Sequence, residues 1–326
     1  MRGKYTAFGL VIDSSIPLPE AYPAESEATV DVTVTSGTAG EDFPVDSGLV
    51  KARENKLWWH GIRDESRMLF NCKSGLFEIR DGSEIIMQLY PDADAEHVKV
   101  FLLGSAMGAV QVQRGRIPVH GGAVVTTKGA MIIAGGQGVG KSTMTSAFVH
   151  NGFKFLTDDV SSIVIENGRA DIIPAYPQRK LLRDACAPLG YNPEDLVQLN
   201  DERDKLAVRD RENWQSQPVV LSAIIELYHA SGDDRVSVSP VAGRDKLACV
   251  MRNLYRRWMH VPGGDIAPVT LKKILTIAAQ ANIYRVGVPR DIKAITSVVR
   301  DIAAALGVYR SGILSQADWL ASGKVI

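Results

Sequence analysis

A glycine-rich run near the middle of the chain constrains the fold more than any other part of the sequence. Residues 135–143 read Gly-Gly-Gln-Gly-Val-Gly-Lys-Ser-Thr, which fits the phosphate-binding loop pattern G-x-x-x-x-G-K-[ST]. The apolar run 131–134 before it predicts a strand, and residues 144–149 after it predict a helix. A glycine-rich turn that only spells the pattern is the alternative, but the order strand, loop, helix favours a loop that binds a nucleoside triphosphate.

The residues of this loop have different predicted roles. Glycines let consecutive backbone N–H groups turn toward a phosphate, and the helix that follows points its partially positive end at the same place. Lys141 is expected to reach the β- and γ-phosphates, and the Ser142 hydroxyl suits Mg²⁺. ATP and Mg²⁺ are therefore the predicted cofactors. The predicted nucleotide contacts are Gly135, Gly136, Gln137, Gly138, Val139, Gly140, Lys141, Ser142 and Thr143.

Two aspartates, Asp158 and Asp159, follow a predicted strand at 153–157. A strand, a helix of about ten residues and a parallel strand bring the carboxyl ends of both strands to one edge of a sheet, where open α/β sheets bind ligands. We therefore expect both carboxylates to face the triphosphate. Because neighbours on a strand point to opposite faces, the two should not share one role. A polar strand end or a helix N-cap is the alternative.

Residues 1–93 predict a small antiparallel β domain. Its strands are predicted at 7–12, 30–35, 56–60, 68–72, 76–80 and 84–90, with a hairpin turn at Asp81-Gly82. Residues 94–116 have helical spacing, with Asp94 as the expected N-cap. Residues 119–125 and the strand before the glycine loop form a predicted hairpin, so the sheet that carries the loop should be mixed.

Beyond the loop, the patterns predict β hairpins around Asn167-Gly168, an exposed polar segment at 200–217 and a strand at 219–228. The last third is predicted to be helical, with Arg252 and Arg256 on one side of a single helix and an apolar stripe on the other. Further helices at 268–282 and 290–306 flank a strand at 283–288. The predicted fold is α/β with a mixed sheet. The predicted domains are an N-terminal β-rich domain at 1–93, a P-loop catalytic domain at 94–240 and a mainly helical C-terminal region at 241–326.

The composition limits the classes of partner and the compartment. Lys and Arg number 37, and Asp and Glu also number 37, so no overall charge favours nucleic acid or an anionic membrane. The three cysteines are far apart in sequence, which argues against disulfides and a cysteine metal site and favours the cytoplasm. The longest apolar stretch, 98–112, is shorter than the roughly 20 residues that span a bilayer. We expect a soluble protein, and a homo-oligomer stays open.

The block from Val119 to Asp184 carries a family likeness. It contains His120-Gly121, a hairpin strand, a G-x-x-G-x-G-K-S-T loop, a helix, an aromatic-rich strand and the pair Asp158-Asp159. This block resembles the catalytic domain of the HPr kinase/phosphorylases, whose fold is akin to phosphoenolpyruvate carboxykinase. The resemblance implies that His120 lies at the site, that Asp159 is the catalytic aspartate and that Asp184 is an acidic metal ligand.

The chain also departs from that family. The glycine-rich signature that follows the acidic ligand in HPr kinases is absent after Asp184. The N-terminal region, with Tyr5-Thr6-Ala7-Phe8-Gly9-Leu10 and Ile16-Pro17-Leu18-Pro19, is similar instead to divergent HPr-kinase-like proteins that accompany lasso-peptide biosynthesis. Some of those proteins phosphorylate a serine of the precursor peptide. The resemblance therefore implies a serine kinase whose acceptor is a peptide or small protein, namely a lasso-peptide precursor.

Roles for the candidate residues follow from this chemistry. Lys141, Asp159 and His120 are the predicted catalytic residues, with Asp159 as the general base for an acceptor hydroxyl. Ser142, Asp158 and Asp184 are the predicted magnesium ligands. Four alternatives stay open: an ATPase or nucleotide switch without a peptide acceptor, a kinase of an HPr-like protein, a carboxykinase-type enzyme, and a non-catalytic nucleotide-binding module.

Two basic groups are candidates for contacts with the acceptor, because a carboxylate or a phosphoserine would need cationic partners. They are Arg179, Lys180 and Arg183 in one group, and Arg252, Arg256 and Arg257 in the other. A solvated surface is the alternative for both groups.

Overall fold

A computed structural model describes residues 2–41, 59–64, 66–199, 204–230, 235–261, 264–290, 295–310 and 312. Within these ranges the chain forms two eight-stranded sheets and one three-stranded sheet, with helices on both faces of the second large sheet. The protein is therefore of mixed α/β class. No helix in the described ranges is long and apolar enough to cross a membrane.

The N-terminal sheet has the strand order β3-β1-β2-β4-β8-β7-β6-β5. Its strands are β1 (Gly3–Ala7), β2 (Leu10–Ser14), β3 (Tyr22–Pro23), β4 (Val32–Ser36), β5 (Trp59–Asp64), β6 (Arg67–Cys72), β7 (Gly75–Arg80) and β8 (Glu84–Leu89). The predicted hairpin at Asp81-Gly82 joins β7 to β8 and is confirmed.

Two predictions for this region were wrong. The sheet is mixed rather than antiparallel, because β4 pairs in parallel with both β2 and β8. The predicted strand at 7–12 is a hairpin that turns at Phe8 and Gly9, whose φ angles are 55° and 64°. Phe8 is not a turn-forming residue, and its left-handed conformation is held by tertiary contacts, including an N–H donated to the Ala175 carbonyl at 2.9 Å.

A helical segment follows this sheet. It consists of α1 (Ala95–Phe101), a π-helical turn (Leu102–Ala106) and α2 (Met107–Gln113). The Asp94 carboxylate accepts the His97 N–H at 2.9 Å, so the predicted N-cap is confirmed. The apolar side of the segment shares a hydrophobic cluster with the N-terminal sheet and with Val160, Tyr176 and Met259 from later in the chain.

The second large sheet has the order β10-β9-β12-β13-β17-β19-β18, with β11 also paired to β9 and β17 also paired to β10. Its strands are β9 (Ile117–Thr126), β10 (Gly129–Gly135), β11 (Lys154–Thr157), β12 (Val160–Glu166), β13 (Arg169–Ile173), β17 (Val219–His229), β18 (Ser237–Val241) and β19 (Asn282–Val288); the small sheet holds β14 (Gln178–Leu182), β15 (Val197–Leu199) and β16 (Lys205–Arg209). The hairpin β9–β10 is antiparallel, and β17 runs parallel to β10 and β19. The predicted mixed sheet is confirmed.

Helices pack on both faces of this sheet. They are α3 (Lys141–His150), α4 (Arg183–Cys186), α5 (Arg244–Arg252), α6 (Pro268–Gln280) and α7 (Ile295–Leu306). Met131 and Ile133 of β10 face α3 and α7, whereas Ile132 faces α5 and α6. The alternation follows from the two-residue period of a strand and explains why this strand is apolar on both sides.

Two further predictions are corrected. Part of the segment predicted to be exposed at 200–217 is β16, whose Leu206, Ala207 and Val208 are buried, although residues 200–203 lie outside the described ranges. Arg252 and Arg256 do not share a helix, because α5 ends at Arg252 and Leu254 makes a strand-like bridge to Val119. Arg256 has a φ of 46°, outside helical conformation. The three-domain division remains a prediction.

Candidate functional site

The glycine loop joins β10 to α3 in the predicted order. Gly135, Gly138 and Gly140 have φ angles of 141°, 83° and 93°, which side-chain-bearing residues rarely adopt. Residues 136–138 are exposed. The Lys141 ammonium donates to the carbonyls of Gly135 and Gly136 at 2.9 and 3.0 Å, so it folds back onto the start of the loop. Three glycines of the loop therefore have positive φ angles, and the Lys141 ammonium is hydrogen-bonded to the loop backbone.

The acidic pair lies at the same edge of the sheet as this loop. Strand β9 lies between β10 and β11 and is antiparallel to both, so the carboxyl ends of β10 and β11 point the same way. Gly121 of β9 donates its N–H to the carbonyl of Asp159 at 3.0 Å and pairs on its other side with Ala134. Two strand spacings, about 10 Å, separate the two strand ends. The ends of β10 and β11 therefore lie at one edge of the sheet, as predicted, and the facing of both carboxylates toward a triphosphate remains a prediction.

Asp159 is held between two basic side chains. Its Oδ1 lies 3.3 Å from His120 Nδ1, and its Oδ2 lies 3.4 Å from Lys180 Nζ. Burial acts to raise the pKa of Asp159, but the Lys180 ammonium, His120 and Lys205 together hold that pKa well below its usual value. With 30% of its side chain exposed, Asp159 presents an ionised carboxylate to the site at neutral pH.

Asp158 has the opposite environment. It is only 5% exposed, and its Oδ2 accepts the backbone N–H of Lys180 at 2.9 Å. Burial raises the pKa of Asp158 to about 6, and the neighbouring charge of Asp159 adds to the increase. Its buried Oδ1 has no hydrogen-bond partner among the described residues. The two carboxylates therefore differ in role, as the strand geometry predicts.

A magnesium ion is compatible with part of the predicted ligand set. Mg²⁺ in nucleotide sites typically uses one or two protein oxygens together with phosphates and water. The orphaned Oδ1 of Asp158 and the half-buried Ser142 in the first turn of α3 fit that pattern. No cluster of three or more His, Cys, Asp or Glu side chains suited to a metal occurs in the described ranges. Among the described contacts none joins Asp158 to Ser142, so a magnesium site shared by these two residues remains a prediction.

Asp184, the third predicted ligand, is exposed in α4. Among the described contacts, none joins it to Asp158 or Ser142. The segment after α4 reaches His150, since a Cβ on Gly190 would lie 3.7 Å from that ring. His150 ends α3, about 12 Å along the helix from Ser142. The role of Asp184 remains a prediction that these contacts do not support.

The first basic group is divided between the core, the site and the surface. Arg179 is fully buried and donates to Asp210 at 2.7 Å and Tyr191 at 2.9 Å, so its predicted contact with the acceptor is wrong. Strand alternation in β14 explains this, because Arg179 and Lys180 must point to opposite sides.

Lys180 is the ion partner of Asp159. Burial acts to lower the pKa of Lys180, but the Asp159 carboxylate raises this pKa above its usual value. Arg183 is on the surface, paired with Asp204 and Glu194.

Asn253 is a site residue that the sequence did not indicate. Its side chain is buried, and Oδ1 accepts the Gly135 N–H at 3.1 Å at the start of the glycine loop. Its backbone carbonyl accepts the His120 N–H at 2.8 Å. Its Nδ2 donates to Glu226 at 2.8 Å. One residue is therefore bonded to the loop, to the backbone of His120 and to a strand on the other side of the loop, and no local sequence pattern marks such a role.

A polar cleft of about 370 Å³ adjoins the loop on the β17 side. Its lining residues are Gly136, Glu226, Leu227, Arg252 and Arg285. Both Arg252 donors Nε and Nη2 lie 2.6 Å from the Glu226 carboxylate. Arg252, a predicted acceptor contact, thus lies beside the loop. Arg256 does not line this cleft, and its guanidinium lies 5.9 Å from the centre of the Tyr255 ring.

Comparisons with known proteins give a distant likeness. No protein-family model matches the chain, and no curated protein sequence matches it. A structure described as the Hpr(Ser) kinase/phosphatase from Coxiella burnetii is similar at a TM-score of 0.29 and 12% identity, over 58% of this chain and 98% of that one. A likeness this distant transfers neither activity nor substrate.

Proposed function

We propose that this chain is a kinase that transfers the γ-phosphoryl group of Mg-ATP to a serine hydroxyl of a peptide or small protein. The observation that carries the proposal is Asp159, an ionised and accessible carboxylate held by His120 and Lys180 at the same sheet edge as the glycine loop. Such a pairing of phosphate cradle and hydroxyl-orienting carboxylate is what phosphoryl transfer requires.

Each residue of the site has a defined task. The loop N–H groups and Lys141 hold the β- and γ-phosphates, and a bound Mg²⁺, held by Ser142 and Asp158, would neutralise phosphate charge. The acceptor oxygen attacks the γ-phosphorus as the bond to the β,γ-bridging oxygen breaks, and ADP leaves. Asp159 orients the hydroxyl and takes its proton. A carboxylate with a low pKa is a weak base, which suffices because a loose transition state needs little proton transfer early.

The finer identity of the acceptor is part of the same proposal. The N-terminal region resembles lasso-peptide-associated kinases, so we propose a precursor peptide as the acceptor. Of the two basic groups, Lys180 lies beside Asp159, and we propose that the acceptor serine binds near this pair.

The test is transfer to a serine-containing precursor peptide, followed by mass spectrometry with ATP and Mg²⁺. We expect the peptide to gain one phosphate. Asp159→Asn should lower this transfer on the order of 10²- to 10⁴-fold while leaving the Kd for ATP within a few-fold, because the base acts on the acceptor. Asp13→Asn, a surface carboxylate paired with Arg2, is the matched control and should transfer normally.

Other outcomes separate the alternatives. Free phosphate with an unmodified peptide would indicate an ATPase instead. Lys141→Ala should abolish transfer and weaken ATP binding, because it removes the phosphate-binding ammonium. Normal turnover by that variant would contradict the assignment of the loop.

A further inference from the structure

The cleft on the β17 side of the glycine loop lies opposite Asp159. Along this edge of the sheet the order is β11, β9, β10, β17 and β19, so Asp159 is on one side of the loop and Arg285 is on the other. Glu226 of β17 pairs with Ala134 of β10 and with Arg285 of β19. A linear ligand across the loop therefore has one end at Asp159 and the other at this cleft.

The orientation of a triphosphate follows from the proposed function, on which this step rests. The γ-phosphate must face Asp159, because the acceptor hydroxyl is activated there. The α-phosphate and the nucleoside attached to it must then point away from Asp159, toward β17 and β19. The cleft of about 370 Å³ beside Gly136 is in that direction and is large enough for a sugar and base.

The side chains of the cleft suit a flat aromatic group. Arg285 lies over the Tyr228 ring, with its guanidinium carbon 4.7 Å from the ring centre, and 56% of its side chain is exposed. The Glu226 carboxylate lies 3.9 Å from Arg285 Nε, whereas Arg252 holds Glu226 with two hydrogen bonds. The guanidinium plane of Arg285 is thus fixed on one face by Tyr228 while much of the side chain stays open, and guanidinium planes stack on nucleobases.

We propose that Arg285, supported by Tyr228, is the stacking platform for the nucleoside base of the bound nucleotide. Arg252 and Glu226 are positioning residues here. They form a rigid pair beside the platform, and Glu226 is tied through Asn253 to Gly135 at the start of the loop. The base site and the phosphate site are therefore parts of one hydrogen-bonded unit.

The experiment compares two ligands that share phosphates and differ in the nucleoside. Binding of Mg-ATP and of Mg-tripolyphosphate to the full chain is measured by calorimetry. Arg285→Gln should weaken ATP at least about fivefold, since base stacking is worth roughly 1–3 kcal/mol, and should leave tripolyphosphate within about twofold. Arg169→Gln, an exposed arginine paired with Asp171 outside the cleft, should change neither affinity.

Two results would contradict the proposal that Arg285 stacks on the nucleoside base. An unchanged ATP affinity in Arg285→Gln would assign the cleft to something other than the nucleoside, and equal losses for both ligands would make Arg285 a phosphate contact. If Arg285→Gln lowers the Tm, Arg285→Lys keeps the charge without the plane and should still weaken ATP selectively. Failure of the wild-type chain to bind either ligand would instead contradict the proposed function, so the two failures are distinguishable.

Discussion

Two adjacent aspartates show how strongly environment separates side chains that are identical in sequence. Asp159 is open and flanked by Lys180 and His120, which keep it ionised. Asp158 is enclosed and accepts a single backbone N–H, and its pKa is raised to about 6. The sequence predicted that the pair would divide its roles. It did not predict the direction of either pKa shift, because Lys180 reaches Asp159 only through the pairing of β14 with β16 and the packing of that small sheet on the site.

The raised pKa of Asp158 has a consequence for stability. Between about pH 4 and pH 6 the folded chain keeps a proton that the unfolded chain has released, so this group lowers the free energy of unfolding as the pH rises through that window. This change in the free energy of unfolding is on the order of 2 kcal/mol. Asp158→Asn should remove this contribution. Urea unfolding of both proteins at several pH values from 4 to 7 measures the difference.

The contribution of Asp158 is obtained only from the difference between the unfolding free energies of wild type and Asp158→Asn, because other groups titrate in the same pH range. Burial lowers the pKa of His260 to about 4, so His260 contributes stability that is lost as the pH falls through much of the same window, with the opposite sign. Asp159, whose folded pKa is depressed, loses its contribution below the usual aspartate pKa. Parallel pH profiles for wild type and Asp158→Asn would show that Asp158 is not protonated in the fold.

At the scale of the element, α3 packs against β9 at a glycine. A Cβ on Gly122 would overlap the Thr145 side chain of α3 and come within 3.0 Å of the Asp158 carbonyl. Thr145 in turn donates its hydroxyl to the Lys141 carbonyl at 3.0 Å. The approach of the helix that follows the loop, and of the strand end that carries the aspartates, therefore depends on the missing side chain.

We expect Gly122→Ala to lower the free energy of unfolding by about 1–3 kcal/mol, because overpacking must displace α3 or β11. Gly37→Ala, where a Cβ would lie 3.5 Å from Ile86, is the matched control and should have little effect. Adding Thr145→Ala to Gly122→Ala should recover part of the loss, which a double-mutant cycle by urea unfolding would detect. Strict additivity would contradict the contact.

The sequence correctly predicted the elements whose conformation is set by residues close together in the chain. The strand, loop and helix at 131–149, the turns at Asp81-Gly82 and Asn167-Gly168, and the cap at Asp94 depend on residues close in the chain. The turn at Phe8 and the buried strand β16 depend on distant partners. The sequence predicted Arg179 as an acceptor contact for the same reason. Its actual partners, Tyr191 and Asp210, are distant in sequence and hold it in the core.

At the scale of the whole molecule, the N-terminal sheet and the sheet that carries the loop share one hydrophobic cluster. Phe8 packs edge-on against Tyr176 at 6.1 Å, and the Arg116 guanidinium donates to the Phe8 carbonyl at 2.8 Å. Tyr176 in turn lies beside the acidic pair, in a small cavity that both aspartates line. The N-terminal sheet therefore forms part of the wall behind the candidate site.

We expect the chain to unfold in one cooperative transition, because separating the sheets would expose this shared cluster. Tryptophan fluorescence and far-UV circular dichroism, followed through the same urea titration, should give coincident curves. Saturating ATP should shift both midpoints equally upward. Two separated transitions would instead show that parts of the chain unfold independently, which would agree with the predicted domain boundary at residue 93.

The bridge made by Asn253 also bears on the chemical lifetime of the protein. Its oxygen must face the Gly135 N–H, because its nitrogen donates to Glu226. Deamidation would replace that donor with a second negative charge against Glu226, and attraction would become repulsion beside the side chain that accepts the Gly135 N–H. Hydrolysis of one buried amide, which changes neither the chain length nor any residue proposed to touch a substrate, would thus weaken the link between the loop and β17.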